Sequence, residues 1–435
     1  MRSLLVLLTM FASAAQAAGP ATFTPTELRA DLAQLVRALH EMPPDLARTA
    51  DVAQLERAVR DIDAQLTAPL DRDAAWRLFA TLNPLLADGH LFVGFVDWRG
   101  DTRAHLAAGG LLFPFEMHVT PDCGLHVSSA LGGNASEFDG ARIQDVNGLP
   151  AATLCEQLLA RVHGDTRRFR ADLLSRRFFF YYWKTFGAPS GFEIILEGRG
   201  EHPVAGSTQL PRFLADETRF ERQFELRFID GKPAAVLKLG TFFWPEKQQV
   251  LDFTRDAFTR LRAAGTRSLV IDLRDNGGGN DDEWIDGLMP YIAGRPFRIA
   301  SGIRRRVVVA DAARHEVAGS VVDGRIDDWF PPDLKNPLRF RGKVLVLAGP
   351  GTFSSAVTLA TVMQDFRFGR VAGPRDCVRA SVSGGARRTT LTHSGLIVVA
   401  PRFILTRPSG AHEPGMFTPD IDFDEARSPE ELPGL

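Results

Sequence analysis

Three apolar runs in the C-terminal half have the pattern of buried β-strands. Residues 234–239, 269–273 and 344–347 contain few polar side chains, as expected for strands covered on both faces of a parallel sheet. Apolar residues at helical spacing follow the first and the third run. From about residue 224 to 435, this alternation of strand and helix predicts a parallel β/α core.

Amphipathic helices dominate the pattern before this core. Thr24-Pro25-Thr26-Glu27 is a capping box with proline at the first helical position, and it opens a predicted helical region over residues 24–98. A glycine-marked turn, Asp88-Gly89-His90, leads from its last helix into a short strand. Between 103 and 210, short β-like runs predict a second, mainly β domain.

The first residues have the pattern of a secretory signal. Arg2 precedes a short apolar core, and Ala15-Gln16-Ala17 is a small-residue cleavage site. We therefore predict a signal peptide over residues 1–18 and an exported protein, periplasmic or secreted. The apolar core is too short to span a bilayer, and the later sequence has no run of about 18 apolar residues, so we expect no membrane span.

Composition narrows the class of protein further. The chain has 435 residues, of which 45% are hydrophobic and 24% charged, enough for two or three globular domains. Its formal net charge of -2 gives no electrostatic reason to expect nucleic acid. Cys123, Cys155 and Cys377 allow one disulfide at most, and we interpret them as structural.

Ser354 lies where the third apolar run turns sharply into a helix. One interpretation is a helix N-cap, because serine is preferred there for its hydrogen bonds alone. The other is a catalytic hydroxyl at the carboxyl edge of the sheet, with helix N-terminal amides nearby to favour a developing negative charge.

Three consecutive glycines, Gly277 to Gly279, follow the second apolar run. Glycine lets the backbone come close to another group and present its N–H donors. The sequence around them matches neither a P-loop nor a dinucleotide-binding motif, so a phosphate site is not indicated. An oxyanion hole is the better functional interpretation, and the loop should share the carboxyl edge of the sheet with Ser354.

Several motifs, in this order along the chain, resemble the S41 serine peptidases. These are the Asp88-Gly89-His90 turn, Asn147-Gly148, residues 274–279 (Arg-Asp-Asn-Gly-Gly-Gly), residues 351–356 (Gly-Thr-Phe-Ser-Ser-Ala) and Pro419-Asp420. The resemblance implies an α/β fold with a crotonase/ClpP-like β/α core over 224–435. It also implies that the mainly β domain is PDZ-like.

Carried over to this sequence, the resemblance implies that Ser354 is the nucleophile. The N–H of Ser355, with that of Gly277 or Gly278, would form the oxyanion hole. The processing peptidases of the family activate their serine with a lysine, but here that register holds Arg379 and no lysine follows Lys343. Because arginine stays protonated, a Ser-Lys mechanism is excluded.

The tricorn-like branch of the family implies a histidine base instead. At the matching positions this sequence has His90, which would be the general base, and Glu413, which would directly or indirectly hold the active arrangement. His393, His412 and His315 are rival bases, and His412 could exchange roles with its neighbour Glu413.

The sequence therefore predicts an exported serine peptidase that acts on a peptide or protein substrate, with no metal or cofactor and an open oligomeric state. The alternative is an inactive binding protein for a peptide or apolar ligand, favoured by the unusual segment 373–379 and the aromatic cluster at 178–183. That cluster is nevertheless expected to be core.

A thioester or acyl-transfer enzyme of the crotonase superfamily is a weaker hypothesis, because that chemistry would not need the Asp-Gly-His turn. Residues 281–283 could hold a cation, but a helix N-terminus explains these acids better.

Overall fold

A computed structural model describes residues 21–411 and 415–435 of the chain. The predicted signal peptide, His412 and Glu413 lie outside these residues. No helix in the described part is long and apolar enough to cross a membrane.

Helices form most of the N-terminal region, as the periodicity predicts. The first begins at the predicted capping box: the N–H of Glu27 donates to Thr24 Oγ1, and Glu27 Oε2 accepts from the N–H of Thr24. The elements are β1 (Thr22–Phe23), α1 (Pro25–Glu41), α2 (Val52–Gln65), β2 (Leu70–Asp71), α3 (Arg72–Phe79), α4 (Asn83–Leu86), β3 (Phe92–Gly94) and α5 (Trp98–Ala107).

An antiparallel sheet in the order β4-β5-β6-β8-β9 forms the middle region. Its elements are β4 (Phe115–Val119), β5 (Leu125–Ala130), β6 (Arg142–Val146), β7 (Leu149–Pro150), α6 (Ala151–Leu159), α7 (Arg167–Phe186), β8 (Gly191–Leu196) and β9 (Gly200–Ala205). A disulfide joins Cys123, before β5, to Cys155 in α6, while Cys377 is free and buried. The long helix α7 was not predicted, but its aromatic residues 178–182 are buried, as expected for core.

Strands and helices alternate through the rest of the chain. The elements are α8 (Arg212–Asp216), α9 (Phe220–Gln223), β10 (Phe224–Phe228), β11 (Ala234–Leu239), α10 (Lys247–Ala263), β12 (Ser268–Asp272), α11 (Asp281–Gly287), α12 (Met289–Ile292), β13 (Gly302–Arg306), β14 (Val321–Arg325), β15 (Lys343–Leu347), α13 (Ser355–Asp365), β16 (Arg370–Gly373), β17 (Ser383–Gly384), β18 (Arg387–Thr390), β19 (Ile397–Ala400), β20 (Phe403–Thr406) and β21 (Ile421–Asp422).

The three predicted apolar strands lie side by side in one sheet. Its order is β10-β11-β12-β15-β16-β21, and all neighbours except β10 and β11 are parallel. Leu269, Val270 and Ile271 of β12 are fully buried, which explains why this strand is an unbroken apolar run. Because β12 and β15 are parallel neighbours, the loops after them meet at one edge.

Two smaller antiparallel sheets bring distant segments to this edge. One has the order β14-β13-β20-β17, and the other has the order β18-β19-β3. The pairing of β3 with β19 attaches the strand after His90 to the C-terminal half. The neighbouring strands β19 and β20 belong to different sheets, so the chain crosses from one sheet to the other between them.

Candidate active site

Ser354 occupies a strained turn between β15 and α13. Its φ of 54° and ψ of -123° lie outside the regions that a side chain normally allows. The Ser354 side chain makes no capping hydrogen bond; the helix starts instead on its carbonyl, which accepts from the N–H groups of Val357 and Thr358. Ser354 thus occupies the N-cap position, but its side chain does not cap the helix, and within residues 21–411 and 415–435 nothing is hydrogen-bonded to the Ser354 hydroxyl.

The turn before Ser354 is anchored to the loop after β12. The N–H of Phe353 donates to the carbonyl of Asn276 at 2.9 Å, and Thr352 Oγ1 donates to the carbonyl of Leu273 at 2.7 Å. These bonds join the ends of two parallel strands. They bring the glycine loop against the serine turn, as predicted.

Close packing explains two of the three consecutive glycines. A Cβ atom on Gly278 would lie 2.7 Å from Ser354 Cβ and 2.9 Å from the nitrogen of Ser355, and one on Gly279 would lie 2.0 Å from the carbonyl oxygen of Phe242. Neither position has room for a side chain. Gly278 therefore touches the serine turn directly.

The two predicted oxyanion donors in this loop differ in their hydrogen bonds. The N–H of Gly278 donates to the side-chain oxygen of buried Asn276 at 2.8 Å, so it is already committed. The N–H of Gly277 is exposed and has no hydrogen-bond acceptor among the described residues. Of the two glycines, only Gly277 has an N–H available to a substrate in this conformation.

His90 lies against the residue that precedes Ser354. A Cβ atom on Gly89 would come within 2.4 Å of the Phe353 ring, so the turn needs glycine there to reach this position. The centroids of the His90 and Phe353 rings are 4.5 Å apart. The structure thus brings the Asp88-Gly89-His90 turn to the serine, although the described residues include no hydrogen bond between His90 and Ser354.

Ser383 and Asp88 fix the orientation of the His90 ring. Ser383 Oγ lies 3.1 Å from His90 Nδ1 and donates to Asp88 Oδ1 at 2.9 Å. Asp88 Oδ1 also accepts from the N–H of His90 at 2.8 Å. Because the Ser383 proton points to Asp88, Ser383 Oγ accepts from Nδ1–H, which leaves Nε2 of His90 with a free lone pair.

Burial and charge act in opposite directions on this histidine. Burial lowers the pKa of His90 below its usual value, and the nearby Asp88 carboxylate raises that pKa in part. The ring is consequently neutral at pH 7. A neutral ring with a free Nε2 can accept a proton.

Asp165 lies under the same turn. Its Oδ1 accepts from the N–H of Gly89 and its Oδ2 from the N–H of Arg379, each at 2.9 Å. Burial, with the neighbouring Asp88 charge, raises the pKa of Asp165 to about 6. This carboxyl therefore joins the His90 turn to the segment after β16.

A small cavity opens beside Ser354. Its polar and charged lining consists of Ser354, Ser381, Ser383, Asp88, Asp165, Arg48 and Arg379. Arg379, at the lysine register of the processing peptidases, is thus beside the serine even though it cannot act as a base.

The rival bases lie elsewhere or outside the described residues. His393 follows β18; its N–H donates to Asp31 of α1, and its Nδ1 is 3.8 Å from Glu27. His315 lies between β13 and β14, with a φ of 55°. Neither lines the cavity beside Ser354, whereas His412 and Glu413 are not described.

Sequence reasoning missed three polar residues of this site. Asp281 was expected only to complement a helix dipole, but its Oδ1 accepts from Ser355 Oγ at 2.5 Å, and Trp284 Nε1 donates to the same hydroxyl at 3.0 Å. Ser383 and Asp165 belong to no motif, so no sequence signal marked them.

Comparison with known proteins agrees with this arrangement. Residues 234–423 match the model of peptidase family S41. The solved structure of mature CPAF complexed with lactacystin is 13% identical, with a TM-score of 0.63 over 91% of this chain and 94% of that chain. A structure of mature CPAF is 14% identical, with a TM-score of 0.61 over 91% and 93%. No functionally curated protein matches the sequence.

These matches cover the elements that carry the site. The family match begins at β11 and extends past β21, so it includes the glycine loop and the Ser354 turn. The likeness to CPAF extends over nine-tenths of the chain and shows a shared mixed α/β fold. The predicted fold class is confirmed. Residues 234–423 therefore form a region of the S41 peptidase type, and the protein is a serine-type peptidase.

Proposed function

We propose that this chain is an exported peptidase in which Ser354 attacks the scissile carbonyl. The observation that carries the proposal is the Ser354 turn: a non-glycine residue held at a φ of 54°, with a hydroxyl that caps nothing. Strain of this kind persists only where the surrounding structure imposes it, and it often marks a functional site. The turn projects the hydroxyl at the carboxyl edge of the sheet.

His90 is the general base of the proposed reaction. Its Nε2 takes the Ser354 proton as the hydroxyl oxygen bonds to the carbonyl carbon, and later returns that proton to the leaving amine. The Nδ1–H bond to Ser383 holds the required tautomer, and the Asp88 carboxylate stabilises the imidazolium that forms. Small movements on substrate binding would close the Ser354–His90 hydrogen bond, as is common in unliganded enzymes.

The N–H groups of Ser355 and Gly277 are the proposed oxyanion donors. Ser355 is the first residue of α13, where the helix dipole favours negative charge. Of Gly277 and Gly278, it is Gly277 whose N–H has no acceptor among the described residues. Removing one such donor typically slows catalysis by about two to three orders of magnitude.

Glu413, which lies outside the described residues, keeps its proposed role as a residue that holds the active arrangement directly or indirectly. The PDZ-like character of the middle region also remains part of the proposal.

Export has two sources of support. The first residues have the pattern of a signal peptide, and Cys123 and Cys155 form a disulfide. Disulfides persist mainly in oxidising compartments. The two together support the proposed periplasmic or secreted localisation, and fractionation of the expressed full chain tests it.

Labelling with a fluorophosphonate, read by intact mass, tests the chemistry. Wild type should gain one adduct, Ser354→Ala none, and His90→Ala should react at least 100-fold more slowly. Ser190→Ala and His118→Ala, which change exposed residues of the same types, should label like wild type. Absence of an adduct on folded wild type, or an adduct that persists in Ser354→Ala, would refute the proposed nucleophile.

A further inference from the structure

Two arginines line the cavity beside Ser354 without carboxylate partners. Arg48 donates through Nη2 to the carbonyl of Ser381 at 2.7 Å, and Arg379 donates through Nη2 to the carbonyl of Ala87 at 3.3 Å. Within residues 21–411 and 415–435, neither guanidinium lies within 4.0 Å of a carboxylate. Nε of Arg379 is buried and has no hydrogen-bond partner there.

The aspartates of the cavity do not use these guanidinium groups. Asp88 accepts from the N–H of His90 and from Ser383, and Asp165 accepts from two backbone N–H groups. None of these hydrogen bonds comes from an arginine side chain. The two cations keep hydrogen-bond donors for another acceptor.

Burial makes this arrangement costly without an anion. It lowers the pKa of Arg48, because the charged form loses hydration that the nearby charges of Asp88, Asp165 and Asp45 offset only in part. A bound carboxylate would supply charge-assisted hydrogen bonds in return. The remaining walls, which include Phe353, Val378 and Val382, suit the short apolar stem of an acidic side chain.

We propose that this cavity binds a carboxylate of the substrate next to the scissile bond, through Arg48 and Arg379. The inference rests on the proposed role of Ser354, since the same cavity contains that hydroxyl. The carboxylate comes either from an acidic side chain on the amino side of the bond or from a nearby chain end. In both cases the peptidase selects anionic substrates.

Peptidyl diphenyl phosphonates test the side-chain source. They phosphonylate an activated serine with loss of phenol, and the rate depends on the probe's side chain next to the phosphorus. We expect the wild-type rate constant for a probe with Asp to exceed that for the isosteric Asn probe at least 10-fold. Arg48→Met and Arg379→Met should each reduce this ratio more than 3-fold, with the greater loss on the Asp probe. Arg388→Met, which changes an exposed arginine on β18, should keep the wild-type ratio.

A second arm tests the chain-end source. Short peptides with a free carboxyl terminus should slow fluorophosphonate labelling more than the same peptides with an amide terminus, and the two Met variants should abolish the difference. Equal Asp and Asn rates together with equal acid and amide protection would overturn the inference. If the fluorophosphonate still labels Ser354, only the carboxylate site fails; if it does not label, the proposed nucleophile fails as well. Arg379→Lys should retain part of the preference, which separates lost charge from lost packing.

Discussion

At the scale of single residues, the backbone of Ser354 is the most constrained feature of the site. Only glycine adopts a positive φ without steric cost, and holding another residue there costs on the order of 1 kcal/mol. Nothing in the serine side chain offsets this cost, since it forms no cap. The turn is therefore maintained by its neighbours, through the bonds of Phe353 and Thr352 to the loop after β12.

We predict that Ser354→Gly stabilises the fold while removing fluorophosphonate labelling. Relief of strain should raise the free energy of unfolding by about 1 kcal/mol relative to Ser354→Ala. Equilibrium denaturation in urea measures this difference. Ser190, whose φ is negative, provides the control, since Ser190→Gly should not stabilise the protein. Equal stability of Ser354→Gly and Ser354→Ala would show that the turn is unstrained.

The Asp88 carboxylate should set the pH at which His90 becomes active. Because this charge raises the pKa of His90, Asp88→Asn should lower that pKa and move the acidic limb of the labelling profile to lower pH. The rate on the plateau should fall by roughly 10-fold to 100-fold, because the stabilised imidazolium is lost. Labelling rates between pH 4 and 9 measure both effects.

Ser383→Ala tests the orientation of the His90 ring separately from the charge of the Asp88 carboxylate. It removes the acceptor for Nδ1–H but keeps the Asp88 carboxylate, so the plateau rate should fall while the profile moves less than in Asp88→Asn. Ser383→Thr, which keeps the hydroxyl, should recover part of the rate. A profile that moves equally in both variants would contradict the proposed division of roles.

Asp165 makes stability depend on pH in the opposite direction from an ion-paired carboxylate. Its folded-state pKa of about 6 exceeds the ordinary value of 3.8, so the folded protein binds this proton more tightly than the unfolded chain does. Stability from this group is present at low pH and is lost as pH rises from about 4 to 6. At about 1.4 kcal/mol per pKa unit, the full change is about 3 kcal/mol.

The comparison with Asp165→Asn isolates this contribution. The variant loses one hydrogen bond at every pH, so the informative quantity is the change in the wild-type minus variant difference between pH 4.5 and 7.5. We expect the stability advantage of wild type to shrink as pH rises. Urea denaturation at the two pH values measures the difference, and a constant advantage would disprove the raised pKa.

At the scale of elements, hydrogen bonds join two helices next to the proposed oxyanion donors. Asp281 opens α11 after the glycine loop, and its carboxylate accepts from Ser355 Oγ at the start of α13. Trp284 donates to the same hydroxyl. These hydrogen bonds therefore fix the relative position of the two segments that supply Gly277 and Ser355.

We predict that Ser355→Ala and Asp281→Asn lower kcat by roughly 10-fold and leave KM within 2-fold, once a peptide substrate is known. Oxyanion contacts strengthen in the transition state, so loosening their support affects kcat first. Ser355→Thr, which keeps the hydroxyl, should restore most of the loss. Asp282→Asn on the adjacent surface is the control. A rise in KM without a fall in kcat would mean that the contacts of Asp281 and Trp284 with Ser355 support substrate binding instead.

Elements with a local pattern were predictable from the sequence, whereas contacts between distant segments were not. The helix at Thr24 and the strand at Leu269 carry their signals in neighbouring residues, and so do the turns at Ser354 and Gly277. Helix α7 was missed because apolar residues cover it without a clear period. The bond between His90 and Ser383 joins residues 293 positions apart, and no local pattern encodes such a pair.

At the scale of the whole molecule, the site depends on joining the two ends of the chain. His90 belongs to the N-terminal region, and Ser354 belongs to the sheet of the C-terminal half. The contacts that hold them together include the pairing of β3 with β19 and those of buried Asp31 of α1. Asp31 accepts from the N–H groups of His393 and Ser394 and from the Ser394 hydroxyl.

We predict that Asp31→Ala releases the N-terminal region before the core unfolds. Losing this acceptor leaves three donors without their partner, which should cost about 3 kcal/mol. Because the release also carries His90 away, fluorophosphonate labelling should disappear at a lower urea concentration than hydrogen-exchange protection of β11 and β12. Asp63→Ala, which removes an exposed ion pair to Arg29, should change stability by less than about 1 kcal/mol and keep the two transitions together. Coincident transitions in Asp31→Ala would mean that the two ends of the chain unfold as one cooperative unit.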